Sequence, residues 1–187
     1  FGSMDSHDRS RWSSILLVRK IRDLRASGAN IRKVWYKMRL QFREITPDNW
    51  RKIQIEVREE QQHFVASYMT TLARAYVYRN SHSVVYAIYC DDTPIGLLMQ
   101  RDHRDDEGNQ LCILDQFFID KDFQGRGYGK AAMESWLANV KKDNRYAAAE
   151  LCFITGDSVA EKLYESLGFV RKPQKDDGDE LVMRYAL

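Results

Sequence analysis

The chain has 187 residues, 44% of them hydrophobic, with a formal net charge of +2. That length suits one packed domain, and no apolar run is long enough for a membrane span or a signal core: Ile15-Leu16-Leu17-Val18 is the longest early one. The charge is unevenly placed, because positions 1–39 hold 10 Lys/Arg against 3 Asp/Glu (+7) and positions 40–187 hold 19 against 24 (−5). An acidic main body attracts polycations and disfavours nucleic acid.

Phe1-Gly2-Ser3 ahead of Met4 reads as a tag scar, residues 4–38 as a basic amphipathic extension, and 39–187 as the domain proper. The extension predicts helix over about 13–26 and 31–37, broken at Ser27-Gly28-Ala29. Its apolar stripe could dock on the domain or pair with another subunit; its basic face could instead be a nucleic-acid or membrane arm. A strand from Leu40 to Thr46 follows, then a helix from Pro47-Asp48 to about Val57 and a second from about Phe64 to Tyr78. Val84–Cys90 and Ile95–Gln100, joined by Asp91-Asp92-Thr93-Pro94, predict an antiparallel hairpin, and Arg101–Gln110 a polar loop.

Leu111–Ile119 predicts the central strand. Simple alternation sets Ile113, Asp115, Phe117 and Ile119 on one face and Leu114, Gln116 and Phe118 on the other. A carboxylate in that setting needs a partner, and Asp115 finds it either in a substrate ammonium, with a general-base role, or in a structural hydrogen bond. Gln124-Gly125-Arg126-Gly127-Tyr128-Gly129-Lys130 then joins this strand to a helix. Glycines let backbone N–H groups approach a ligand, and the helix N-terminus adds unpaired donors, so the turn reads as a cradle for a pyrophosphate. It is not a Walker loop, because Ala131 follows Gly129-Lys130, and G-x-G-x-G is not the Rossmann spacing. Ala147–Ile154 predicts another strand, 158–167 a late helix with a core stripe at Val159, Leu163 and Leu167, and Val170–Lys172 with Leu181–Tyr185 a closing pair. Cys90, Cys112 and Cys152 read as reduced structural thiols, and the four histidines have no metal-ligand spacing.

Gln124-x-x-Gly127-x-Gly129 matches Q/R-x-x-G-x-G/A, and Ala160-x-x-Leu163-Tyr164-x-x-x-Gly168-Phe169 matches a late-helix pattern; together they resemble the GNAT superfamily of N-acetyltransferases. Leu114–Asp120 is further similar to the L-D-R-F-F-I-D stretch of bacterial spermine/spermidine acetyltransferases. The resemblance implies a mixed α/β fold, mostly antiparallel, with two splayed parallel strands and acetyl-CoA as cosubstrate, without a metal. It implies coenzyme contacts from Phe117, Phe118, Ile119, Gln124, Gly125, Arg126, Gly127, Tyr128, Gly129, Lys130, Asp157 and Tyr164, with Tyr164 as general acid. Asp115 is the second catalytic candidate, and Glu56, Glu59, Glu60 and Asp115 are candidates for binding a small amine such as spermidine or spermine. Two positions depart from the pattern: Asp157 stands where the family commonly has Asn, and Gln116 where the polyamine group has Arg. Other acceptors are another small amine, an amino acid or a peptide amine. A different class of reading is an acetyl-CoA sensor that contacts a partner through its basic arm. A cytoplasmic protein, free or as a homodimer, completes the expectation.

Overall fold

The computed structural model describes residues 40–187. The expected tag scar and the two helices of the extension lie outside them.

Seven strands form one sheet in the order β1-β2-β3-β4-β5-β7-β6: β1 (Leu40–Glu44), β2 (Val84–Cys90), β3 (Thr93–Arg104), β4 (Gln110–Ile119), β5 (Ala148–Ile154), β6 (Val170–Arg171) and β7 (Glu180–Ala186). Every neighbouring pair is antiparallel except β4 and β5. Three described helices complete the fold: α1 (Tyr68–Val77), α2 (Tyr128–Lys142) and α3 (Ser158–Ser166). The expected architecture is therefore present.

The sheet is covered on both sides. On one face α2 buries Tyr128, Ala132, Met133, Trp136, Leu137 and Val140 at helical spacing against Ile88, Leu98 and Leu114. A fully buried Met133, Leu137 or Val140 side chain contributes about 1.5–3 kcal/mol. On the other face Ala87, Leu97, Met99 and Phe118 pack under Leu72 and Ala75 of α1 and under Ile53 and Ile55.

Four expectations are corrected. No α-helix runs from Pro47 to Val57: a short turn, with Trp50 N–H donating to Thr46 O, gives way to extended chain in which Ile53 and Ile55 are buried and Glu56 beside them is exposed. That period of two belongs to a strand-like segment, and Asp120 holds it to the end of β4 by accepting the Glu56 N–H at 3.0 Å. The next helix begins at Tyr68 rather than Phe64, because Ser67 caps it, its Oγ accepting the Thr70 N–H. The polar loop also shrinks to 105–109, since β3 continues to Arg104.

The fourth correction concerns β4 itself. Met99 faces Gln116 but Gln100 faces Leu114, so Asp115 is an extra residue, a β-bulge. The bulge shifts the alternation. Cys112, Leu114, Phe117 and Ile119 join the cluster under α2, whereas Phe118 joins the α1 side and Gln116 reaches the Ala66 N–H there.

Candidate active site

The parallel ladder between β4 and β5 has four rungs, from Leu111↔Ala148 to Leu114↔Leu151, and then stops although both strands continue. From the bulge onward β4 is paired to β3 alone, so a wedge opens beside Gln116–Ile119. A strand edge inside a fold leaves backbone N–H and C=O groups in want of partners. α3 flanks the wedge, and a cavity of about 370 Å³ runs along it, lined by Phe117, Phe118 and Ile119 from β4 and by Tyr164 and Asp157 from α3 and its cap.

At the far end of the cavity lies the glycine turn. Gly125 (φ 70°) and Gly127 (φ 86°) adopt the left-handed conformation, and Gly127 is the N-cap of α2. No side chain caps this helix start and no acidic residue stands in its first turn, so its N–H groups and positive dipole end are left for an anion. Gln124 braces the turn from within, donating to Ile119 O at 2.9 Å and to Gln61 Oε1 at 2.8 Å. Gly129 lines the cavity; a Cβ there would meet only Ile119 and Leu163 side chains, at ordinary van der Waals distances of 3.8 and 3.9 Å.

The turn's side chains divide. Gln124, Gly125 and Gly129 line the cavity. Tyr128 is buried in the core near Cys90, Lys130 reaches Ser166 Oγ at 3.2 Å, and Arg126 lies over the Phe123 ring with its Nη1 buried and without a hydrogen-bond partner among the described residues. These three and Gly127 are not among the residues that line the cavity.

Tyr164 stands between the Phe153 and Phe169 rings, with centroids at 6.0 and 5.9 Å, and is 6% exposed. Burial, reinforced by Asp157 and the Cys152 thiol, pushes its phenol well above the ordinary value, so it is protonated throughout the physiological range. Asp157 caps α3, one carboxylate oxygen accepting the Ala160 N–H at 3.0 Å, while its side chain borders the cavity. This is the partner that a carboxylate in an asparagine place requires.

The remaining carboxylates are not gathered into one mouth. Asp115, beside the end of the β4–β5 ladder, is buried and paired with Arg101, whose Nε donates to Oδ2 at 2.6 Å; the guanidinium also lies 4.7 Å from the Tyr78 ring centre. Of the two sequence alternatives for its partner, the structural hydrogen bond is present. Glu56 pairs with Lys121 at 2.6 Å, and that hydrogen bond holds its carboxyl below the usual range. Glu59 and Glu60 are exposed on a 3-10 turn (Glu59–Gln61).

Arg58 also lines the cavity, along with Gln61, Phe64 and Val65, none of them a candidate site residue in the sequence. The Ile53, Ile55, Val57 alternation was the available signal, since it makes the segment extended and carries 57–65 across the wedge. Among the described residues no group of three His, Cys, Asp or Glu could hold a metal, and no helix is long and apolar enough to cross a membrane.

The sequence profile of the acetyltransferase (GNAT) domain matches residues 81–171. A probable spermine N(1)-acetyltransferase of Bacillus subtilis subsp. natto is 26% identical over 156 residues, spanning 78% of this chain and 97% of that protein. Among solved structures, an acetyltransferase from Thermus thermophilus aligns with a TM-score of 0.63 at 15% identity, over 79% of this chain and 97% of its own. PaiA N-acetyltransferase from Thermoplasma acidophilum, solved in complex with coenzyme A, aligns with a TM-score of 0.57 at 16% identity, over 80% and 100%.

Proposed function

Residues 81–171 match the GNAT acetyltransferase domain, and from that premise we propose that the chain moves the acetyl group of acetyl-CoA to a primary amine of a small polycation, spermidine or spermine first among them. One observation carries the reading: the half-unpaired strand β4, the uncapped α2 N-terminus and the protonated Tyr164 border one continuous cavity.

The residues present fit the coenzyme. When bound, it supplies an acetyl group activated as a thioester. The amides of 124–130 hold the pyrophosphate, with Arg58 as a cation across the cavity. The free edge of β4 takes up the amide-bearing arm by strand-like hydrogen bonds, and backbone N–H groups near Phe118-Ile119 stabilise negative charge developing on the carbonyl oxygen.

An alkylammonium has an ordinary pKa near ~10.4 and must lose a proton before its nitrogen can attack. Asp115 or one of Glu56, Glu59 and Glu60, acting through water, takes that proton. As the new N–C bond forms, the nitrogen sheds its second proton to water, and as the C–S bond breaks Tyr164 would donate its phenolic proton to the leaving sulfur and be reprotonated from solvent. Asp157 keeps α3, and so Tyr164, in register.

The choice of a polycation rests on the acidic balance of 40–187 and on the spermine acetylation for which the Bacillus relative is named. We assign residues 39–187 to the catalytic domain. Thiol release from acetyl-CoA, measured with spermidine, spermine, simple diamines and peptides carrying free N-termini or lysines, tests the reading. Saturable release with the polyamines supports it, release with peptides alone moves the acceptor to protein amines, and coenzyme binding without release above hydrolysis favours a sensor.

A further inference from the structure

A second cavity, of about 310 Å³, lies away from the coenzyme wedge, between β1–β3 and the C-terminal half of α2. Its walls are unusually aromatic: Phe42, Tyr86, Trp136 and Tyr146. Phe42 and Tyr86 meet edge to face, with centroids 6.2 Å apart and planes at 73°, so they form two sides of a corner. The Trp136 indole N–H is spent on Gln100 Oε1 at 2.7 Å, and its ring, 2% exposed, forms the floor under them.

The charges around this cavity are mostly negative. Asp143 lines it, Asp102 accepts from the Tyr146 hydroxyl at 2.6 Å, and burial together with the nearby Glu44 carboxylate raises the Tyr86 phenol. Against these three carboxylates stand Arg145, which is bound to both Asp143 and Asp102 and covers one face of Tyr146, and His82, at 3.2 Å from Asp102. Arg145 shows that a cation already rests on an aromatic ring at this rim. Aromatic faces backed by an excess of carboxylates attract a cation whose charge is spread over alkyl groups, and repel anions. The volume is at the small end of ligand sites, which limits the guest to a few heavy atoms.

We propose that this cavity binds a small organic ammonium ion, through the rings of Phe42 and Tyr86 and the field of Asp143 and Glu44. The site is separate from the acetyl-transfer cavity and shares none of its lining residues.

The test uses tetramethylammonium and the full chain. A quaternary ammonium has no proton to lose and cannot accept an acetyl group, so its binding is read independently of turnover. Titration followed by the Trp136 indole N–H resonance is expected to give a saturable shift, and tert-butanol, a neutral molecule of similar shape, is expected to give none. Asn139 is exposed at the mouth on α2, where lysine is a good helix former. Asn139→Lys places a charge in the cavity and is expected to weaken tetramethylammonium at least about tenfold with acetyl transfer unchanged. Phe42→Leu keeps the apolar filling but removes a ring, and is expected to weaken it several-fold. No saturable shift, an equal response to tert-butanol, or undiminished affinity in Asn139→Lys would overturn the proposal.

Discussion

Arg101 donates to Asp115 across neighbouring strands at 2.6 Å, at the one residue by which β4 bulges away from β3. The pair thus fixes the point where the β4–β5 wedge opens. Removing the carboxylate leaves a guanidinium that is only 19% exposed without its partner. Asp115→Ala is expected to cost about 2–4 kcal/mol in urea unfolding, and Asp115→Leu combined with Arg101→Met to regain most of it. Single and double variants of equal stability would show that the pair does not hold the bulge.

Tyr164 offers a prediction that separates chemistry from binding. Tyr164→Phe removes one oxygen from a site packed by Phe153 and Phe169, so the fold and coenzyme affinity should persist while turnover falls by about 10²–10⁴-fold. Since burial raises the phenol pKa, this residue should impose no loss of rate between pH ~6 and about 9. The sign for stability follows from the neutral form being favoured in the fold: the contribution is whole below the unfolded value of 10.0 and is lost as pH rises beyond it. An unchanged turnover in the Phe variant would remove Tyr164 from the acid role.

Glycine positions of the turn should separate by cause. Gly125 lies in open space at φ 70°, so Gly125→Ala should cost about 1–2 kcal/mol through backbone strain. Gly129→Ala meets only ordinary contacts and should leave thermal stability nearly unchanged, yet its methyl group takes up cavity space beside Ile119 and Leu163. Coenzyme affinity, measured by calorimetry, is expected to fall at least about tenfold there.

A third glycine tests the sheet rather than the ligand. A Cβ at Gly96 would stand 2.7 Å from Phe118 O and 2.9 Å from Ile119 Cδ1, so Gly96→Ala must push β3 from β4 beside the wedge. A loss of about 1–3 kcal/mol together with weaker coenzyme binding is expected. Wild-type stability would show that the strands yield without cost.

The cysteines should be slow thiols. Burial pushes the Cys112 and Cys152 thiols up to about 12, so little thiolate exists at a pH of about 8. Iodoacetamide should label the folded protein far more slowly than the urea-unfolded chain. Equal rates would contradict the packing of β4 and β5 around them.

Much of this arrangement is legible in the sequence, and the failures share a physical cause. The glycine turn and the late helix are local patterns: left-handed glycines before a helix, and a helix that stops at Gly168, depend on few distant contacts, but of the expected core stripe only Leu163 and Leu167 pack on the core, while Val159 is 68% exposed beside the cavity. The segment 47–61 misleads because Pro47-Asp48 opens like a helix, while the extended course of Ile53 and Ile55 depends on a sheet face formed by residues far along the chain. The bulge at Asp115 is likewise decided by its pairing with β3, so alternation along β4 alone puts Phe118 rather than Phe117 on the side of Leu114. Arg58 follows from the first error, since its place in the cavity exists only once 53–58 is extended.

The most direct test is a crystal structure of the full chain with coenzyme A. The account predicts the pyrophosphate on the amides of 124–130 and the pantetheine arm between β4 and β5, its sulfur facing Tyr164. A coenzyme bound elsewhere, with the glycine turn and the wedge unfilled, would contradict it.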